Sequence, residues 1–378
     1  MKSWAKVALG ELLRRSDESA VLDPASEYHE VTIKLWGKGV VSRGKVHGSD
    51  VVSVRRVVRA NQLILSKIDA RNGAIGLVPP ELDGAIVSND FPSFEFRDPD
   101  QCDAAFMGWL VRSAPFVELC KAASEGTTNR VRIKEDRFLD QQIALPPLPH
   151  QQALVAHLDA LSKKTREVEA HLDAVERNSL ALLLSLHHKL AGDRNVLLGE
   201  VLELYECSAA VTPAQSYPQV GVRGFGGGLF PKAAITGAET AYKAFNRLYA
   251  GAIVLSQVKG WEGAIARCPA ELDGWFVSPE YRTFKCKQGL ASDEYFGELV
   301  RTEWFWSQLQ KATRGVGARR ERTRPEQFLN IEIPLPRLDD QLKIVEIVQR
   351  QTPLKAKHAA IREANAALLP ATLERVFA

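Results

Sequence analysis

Two stretches of this chain set arginines beside glycine and small polar residues, a mixture that can close on a phosphate backbone. Residues 124–132 offer Thr127, Thr128, Asn129, Arg130 and Arg132 after Gly126. Residues 314–324 offer Arg314, Arg319, Arg320, Arg322 and Arg324 around Gly315 and Gly317. Glycine lets the backbone approach a phosphate, while arginine and asparagine can contact phosphates or base edges. A charged run is often only a solvated loop, but recurrence at equivalent places weighs against that reading. A second pair of loops holds Lys67, Arg71 and Asn72 opposite Lys259 and Trp261. A third holds Lys34, Trp36, Lys38 and Arg43 opposite Arg223 and Phe225. A shared framework with divergent tips is what two modules reading different sequences would show, and drift after duplication would show it too.

What positions these loops is a duplication. Ser66 falls on Ser256, Gly73-Ala74-Ile75 on Gly263-Ala264-Ile265, and Glu81-Leu82-Asp83-Gly84 on Glu271-Leu272-Asp273-Gly274, always at a shift of 190. The shift still holds for Phe138 and Phe328, Pro146 and Pro336, and Gln151 and Gln341. Nearer the start it is 189, where Leu9-Gly10-Glu11 meets Leu198-Gly199-Glu200 and Tyr28 meets Tyr217. So long a period means a duplicated domain rather than a solenoid. Two copies in one chain imply a pseudo-twofold molecule, suited to a partner with two similar halves, and double-stranded DNA is such a partner.

Within each copy, short β-like runs alternate with turn signals, and Asp83-Gly84 predicts a hairpin turn. One helix is expected over 104–123 and its counterpart over 295–311. Between the copies, residues 151–190 contain neither Gly nor Pro. Positions 154, 158, 161, 165, 168, 172, 175, 179, 182 and 186 step by four and three, a coiled-coil seam interrupted at Thr165 and Ser179. Forty such residues would reach about 60 Å. After the second copy, Ile347, Leu354, Ile361 and Leu368 recur every seven residues, but Gln351, His358 and Asn365 between them are polar. Pro353 and Pro370 should break or kink this segment. Antiparallel pairing of the two helical segments is the simplest way to satisfy both stripes; packing of each on its own globule is the alternative.

Catalytic signatures are missing. No Asn/Asp-Pro-Pro-aromatic motif and no phosphate-binding P-loop occur. The run Gly224-Phe225-Gly226-Gly227-Gly228 lacks the spacing of a nucleotide loop, and its counterpart Leu35-Trp36-Gly37-Lys38-Gly39 reads as a lost pattern. An acid cluster at Asp90, Glu95 and Arg97 has only Glu280 and Lys285 opposite it. His187 and His188 are adjacent, not four apart, so they do not face one metal and read as solvent or seam-edge residues. Glu81, Asp83, Glu271 and Asp273 read as turn-shaping.

Composition sets the frame. The 378 residues are 45% hydrophobic and 25% charged, with net charge +3, so any basic face must come from local clustering. Five cysteines without a C-x-x-C pair argue against a disulfide framework or structural zinc and fit a reducing compartment. Neither a signal peptide nor a membrane span is expected, so the chain reads as soluble and cytoplasmic.

The stretch Phe138-Leu139-Asp140-Gln141-Gln142-Ile143-Ala144-Leu145-Pro146-Pro147-Leu148-Pro149-His150-Gln151-Gln152, leading into the long helix, resembles the boundary motif of type I restriction–modification specificity subunits. Phe328 to Gln341 makes the same match at the second boundary, and Leu65-Ser66, Gly73-Ala74-Ile75-Gly76 and Gly126-Thr127-Thr128 are similar to the pattern inside each target-recognition domain. The resemblance covers essentially the whole chain. It departs at Gly315-Val316-Gly317, which lacks the hydroxyls, and at Gln151-Gln152, where the family has an acid before the glutamine.

It implies an α+β fold of two similar target-recognition globules separated by two long helices in an antiparallel coiled coil. The expected domains are 1–148, a spacer helix 149–193, 194–338 and a second spacer helix 339–378. The implied role is a non-enzymatic reader of a split, asymmetric DNA target, free of cofactor and metal. Modification subunits carrying S-adenosylmethionine and restriction subunits would be its partners, and no membrane would be involved. An enzyme, a protein-only coiled-coil adaptor, or a specificity subunit of a system with fused methyltransferase and nuclease are the competing readings.

Overall fold

The computed structural model describes residues 4–126, 131–313 and 322–377. The chain divides into two compact units, one of residues 1–170 with 360–378 and the other of residues 171–359.

In the first unit a four-stranded antiparallel sheet runs in the order Leu13–Ser16, Ser93–Phe96, Leu63–Leu65, Ile75–Leu77. A second sheet runs Val40–His47, Glu27–Ile33, Ile86–Val87, Arg56–Val57. The run Leu63-Ile64-Leu65 is apolar throughout because both of its faces are buried. Leu63 and Leu65 join a core with Phe94, Phe106, Phe116 and Phe138, while Ile64 joins another with Val31, Val58 and Val87. The second unit repeats this. Ile253 and Leu255 face a core with Phe284, Tyr295, Phe305 and Phe328, and Val254 faces one with Val220, Val222 and Val277.

Asp83-Gly84 does not close a hairpin. The strands on either side belong to different sheets, so the turn passes the chain from one sheet to the other. Gly84 does adopt φ +77°, and the Asp83 carboxylate accepts from the Ala60 N–H at 2.8 Å. Asp273 does the same for Ala250 at 3.0 Å, so the two aspartates shape turns as expected.

Each predicted helix over 104–123 and 295–311 is broken in two: Ala104–Leu110 and Ala114–Ala122, then Asp293–Leu299 and Glu303–Thr313. Ser113 starts the second piece by accepting from the Phe116 N–H, and Thr302 does so by accepting from Phe305.

The long helix spans Leu148–Ala191. After it come Leu338–Gln349 and Thr352–Phe377, with the break just ahead of Pro353 as expected. The second of these runs unbroken through Pro370. Pairing with the long helix is antiparallel within each unit. In the first, Asn365 Nδ2 donates to the Thr165 carbonyl at 2.8 Å and Arg362 pairs with Glu169. In the second, Ser179 Oγ bonds Gln351. The polar interruptions of one helix thus answer those of the other, which fixes register.

The seam itself differs from the expected one. Leu354, Ile361 and Leu368 are 45–48% exposed, as are Val175 and Leu182 at 47% and 42%, while Asn365 and Gln351 face inward. Near its end the long helix turns Leu183, Leu184, Leu186 and His187 onto the second globule's core. A straight helix drifts about 20° per heptad from a 3.5 repeat, so a strict heptad reading cannot hold over its full length. Pairing and packing on the globules therefore both occur.

His187 departs furthest from expectation. It is fully buried, with Nδ1 bonded to the Tyr295 hydroxyl and its ring 4.8 Å from that of Trp304. Burial, with a smaller contribution from His188, pushes its pKa down to about 4. An unfolded imidazole titrates near 6.5. Below that pH the unfolded chain takes up a proton that the folded one refuses. The second unit should therefore hold its stability above about pH 7 and lose on the order of 2–3 kcal/mol as pH falls from 6.5 towards 4. Thermal unfolding across that range should show a shallower slope for His187→Gln; equal slopes would contradict the assignment.

Candidate nucleic-acid interface

In each unit, hydrogen bonds between distant segments gather the three candidate loops. In the first unit the tip between Glu27–Ile33 and Val40–His47 lies on the 67–73 loop. The Trp36 N–H donates to the Asn72 carbonyl at 2.9 Å and the Gly37 N–H to that of Gly73 at 3.0 Å. Gly73 has φ +75°, and a Cβ there would crowd the Trp36 backbone at 3.2 Å, so a side chain would be strained at this contact. The third segment joins through the Ile133 N–H, which donates to the Lys67 carbonyl at 2.8 Å.

The second unit repeats the arrangement with other residues. The Phe225 N–H donates to the Glu262 carbonyl at 2.8 Å, and the Thr323 N–H to that of Gln257 at 2.9 Å. The glycine pattern at the tip has not been lost, contrary to the sequence reading. Trp36, Gly37 and Gly39 have φ +60°, +65° and +90°, and Phe225, Gly226 and Gly228 have +53°, +68° and +73°. Lys34 and Arg223 occupy matching places two residues earlier. An L-residue held at such φ costs about 1–3 kcal/mol, and here each unit holds an aromatic residue that way.

The candidate cations fall into two groups. Lys34, Lys38 and Arg43 are exposed and Arg71 is half-buried. Among the described residues none of these four has a carboxylate within ion-pair distance, nor do the exposed Arg223 and Arg324. Arg223 lies 4.6 Å over the Phe230 ring. The others are paired: Lys67 with Glu135 at 2.7 Å, Arg132 with Asp90 at 2.8 Å, Lys259 with Glu262 at 3.5 Å and Arg322 with Glu280 at 3.2 Å. Exposed pairs of this kind are worth only about 0–1 kcal/mol, so a phosphate can compete for Arg132 or Arg322. Lys67 is the exception, because it and Arg15 share the largely buried Glu135; it serves the fold. Asn72 donates from its side chain to Asp69 at 3.3 Å, and Trp261 is exposed with its carbonyl accepting from Gln310 at 3.1 Å. Thr127, Thr128, Asn129, Arg130, Arg314, Arg319 and Arg320 lie outside the described residues.

The imagined acid cluster does not form. Asp90 pairs with Arg132, Glu95 with Arg14 at 2.7 Å, and Arg97 donates to the Gly10 and Leu13 carbonyls. Among the described residues no three His, Cys, Asp or Glu side chains converge as a metal site would require.

Sequence reasoning missed Arg112, whose Nε donates to the Gly37 carbonyl at 3.0 Å and so braces the tip from the helical side. In the second unit the backbone of Arg301 approaches Gly226, where an added Cβ would lie 2.9 Å from its carbonyl oxygen. The helices Ala104–Leu110 and Asp293–Leu299 place Arg112 opposite Arg301 at a shift of 189, whereas the 190 that holds at Gly84 and Phe138 would set it against Thr302, so the repeat as read from the sequence did not pair them.

No family model matches the chain, and no curated protein matches it. Solved structures do. The crystal structure of the HsdS subunit from Thermoanaerobacter tengcongensis aligns over 100% of this chain and 97% of its own, with 21% identity and a TM-score of 0.51. A structure described as "Structural basis underlying complex assembly and conformational transition of the type I R-M system" aligns over 100% and 96%, with 20% identity and a TM-score of 0.63. The chain has the fold of these proteins: two similar mixed α/β globules together with long paired helices. No helix among the described residues is long and apolar enough to cross a membrane.

Proposed function

We propose that this chain is the DNA sequence-specificity subunit of a type I restriction–modification complex. Each globule reads one half of a bipartite, asymmetric target, and the long helices set the unread gap between the halves. Modification subunits dock on the helices and hold the S-adenosylmethionine that supplies the methyl group, while restriction subunits complete the nuclease. The chain itself makes and breaks no covalent bond, and it works in the cytoplasm where the host DNA lies.

The observation that carries this reading is the repeated three-loop surface. The same glycine-dependent frame recurs in both units, while the side chains it presents differ: Lys34, Trp36 and Lys38 in one, Arg223 and Phe225 in the other. Two unequal readers suit two unequal half-sites. Exposed apolar residues on the helices support a docking role: Val175, Leu182 and Leu354 in the second unit, and Ile361 and Leu368 in the first.

The test is a map of methylated adenines in host DNA with and without this gene, the modification gene being present in both. One bipartite motif should lose its methylation when the gene is removed. An unchanged map would end the proposal, as would S-adenosylmethionine binding or DNA cleavage by the purified chain alone.

A further inference from the structure

Trp36 and Phe225 share an unusual place. Each is 71% exposed, on a left-handed backbone, with a cation two residues before it and glycine directly after. Glycine would adopt the same φ without strain and without holding an apolar ring in water, so the fold does not account for either ring. Phe225 touches Trp306 only edge-on, at 6.1 Å between centroids.

We propose that the two residues are wedge tips, each inserting its ring at a base step of the half-site its unit meets and stacking on the base face opened there. The proposal rests on the specificity-subunit reading and deepens it. The surroundings select nucleic acid as the occupant. Lys34, Lys38 and Arg71 accompany Trp36 without an ion-paired carboxylate among the described residues, and Arg223 accompanies Phe225. Cations beside a free aromatic face match a polyanion whose every unit carries a flat π surface. An acidic protein surface would satisfy the cations but give the ring no face to stack on.

The tip is also fastened in advance. Besides the bonds to Asn72 and Gly73, the Lys34 N–H donates to the Gly39 carbonyl at 2.9 Å, and Arg223 donates likewise to Gly228 at 3.0 Å. A backbone fixed this way presents the ring with little further ordering on binding.

The experiment uses the full chain assembled with its modification subunits and a fluorescein-labelled duplex carrying the methylation-mapped target. Trp36→Gly and Phe225→Gly should each weaken binding by about tenfold to a hundredfold, the range of one base–aromatic stack. The dependence of affinity on salt should stay as in the parent, because no phosphate contact is removed. The unfolding temperature should be equal or higher, since glycine relieves the strained φ. Trp36→Phe and Phe225→Trp should restore most of the affinity. With 2-aminopurine moved stepwise through the duplex, the parent should show one perturbed base in each half, and each glycine variant should lose only its own. Unchanged affinity in both glycine variants overturns the proposal. So does weaker binding that comes with a lower unfolding temperature and is not rescued by the aromatic swaps. A parent complex that binds no duplex overturns the specificity-subunit reading itself, which separates that failure from a binding parent with indifferent variants.

Discussion

Gly237→Ala should destabilise the second unit by roughly 4 kcal/mol, at the severe end for a single methyl group. A Cβ at this position would lie 2.1 Å from the Thr212 carbonyl oxygen and 2.6 Å from its carbon. Both obstacles are backbone, so no rotamer change can make room. The loop that carries them is itself tied down: the Thr212 N–H donates to the Tyr217 hydroxyl at 2.8 Å, and the Gly237 N–H to the Gln215 carbonyl at 3.0 Å. Gly48 repeats the arrangement against Asp23, whose N–H donates to the Tyr28 hydroxyl at 2.8 Å, with the Cβ again 2.1 Å from a carbonyl oxygen. Both glycines end the long hairpin whose other end is the aromatic tip. On the proposed function, Gly48→Ala should therefore weaken recognition of one half-site and Gly237→Ala that of the other. Chemical unfolding followed by tryptophan fluorescence gives the stability change. A loss under about 1 kcal/mol would show that the loop yields more easily than its bonds imply.

The repeat made most of the architecture readable from the chain alone. Matching positions such as Tyr28 and Tyr217 prove to hold matching bonds, and all-apolar runs such as Leu63-Ile64-Leu65 prove to be strands between two cores. The long helix was legible from the absence of Gly and Pro. Its contact face was not, because Leu354, Ile361 and Leu368 carry a clean heptad that nonetheless stays nearly half exposed. Hydropathy records that a face avoids water, not which neighbour covers it. Polar residues such as Asn365 looked like interruptions, yet they are inward because Thr165 answers them.

The candidate site was half legible. Residue types marked the loops, but their convergence depends on bonds such as Trp36 to Asn72, which no local pattern encodes. Burial and pairing decided the remainder: Lys67 looked like a phosphate contact and is held by Glu135.

Gln341→Ala should cost the second unit about 3 kcal/mol, and Gln151→Ala the first unit about as much, for a reason the boundary motif does not itself reveal. Both glutamines are fully buried where the helical segment leaves the globule. Gln151 Oε1 accepts from the Asp103 N–H at 2.8 Å, while Nε2 donates to the Gln101 and Pro146 carbonyls at 2.9 and 2.8 Å. Gln341 Oε1 accepts from Ser292 at 3.0 Å, and Nε2 donates to Pro336 at 2.9 Å and Leu290 at 3.5 Å. One side chain thus satisfies a helix N-cap residue, the loop before it and the proline turn that launches the long segment. Alanine strands those backbone groups in the interior, where each unpaired one costs about 1–3 kcal/mol. Gln341→Glu should be at least as damaging, because a carboxylate would face two carbonyl oxygens and has no N–H to give them. Two-probe unfolding, by far-ultraviolet dichroism and tryptophan emission, should show the altered unit melting ahead of its twin. Coincident transitions at the parent's midpoint would mean that the glutamine is incidental to the junction. If it pins the junction as the bonds indicate, a loosened pin frees one globule to swing against its helix. On the proposed function, recognition of the corresponding half-site should then decline before the unit unfolds.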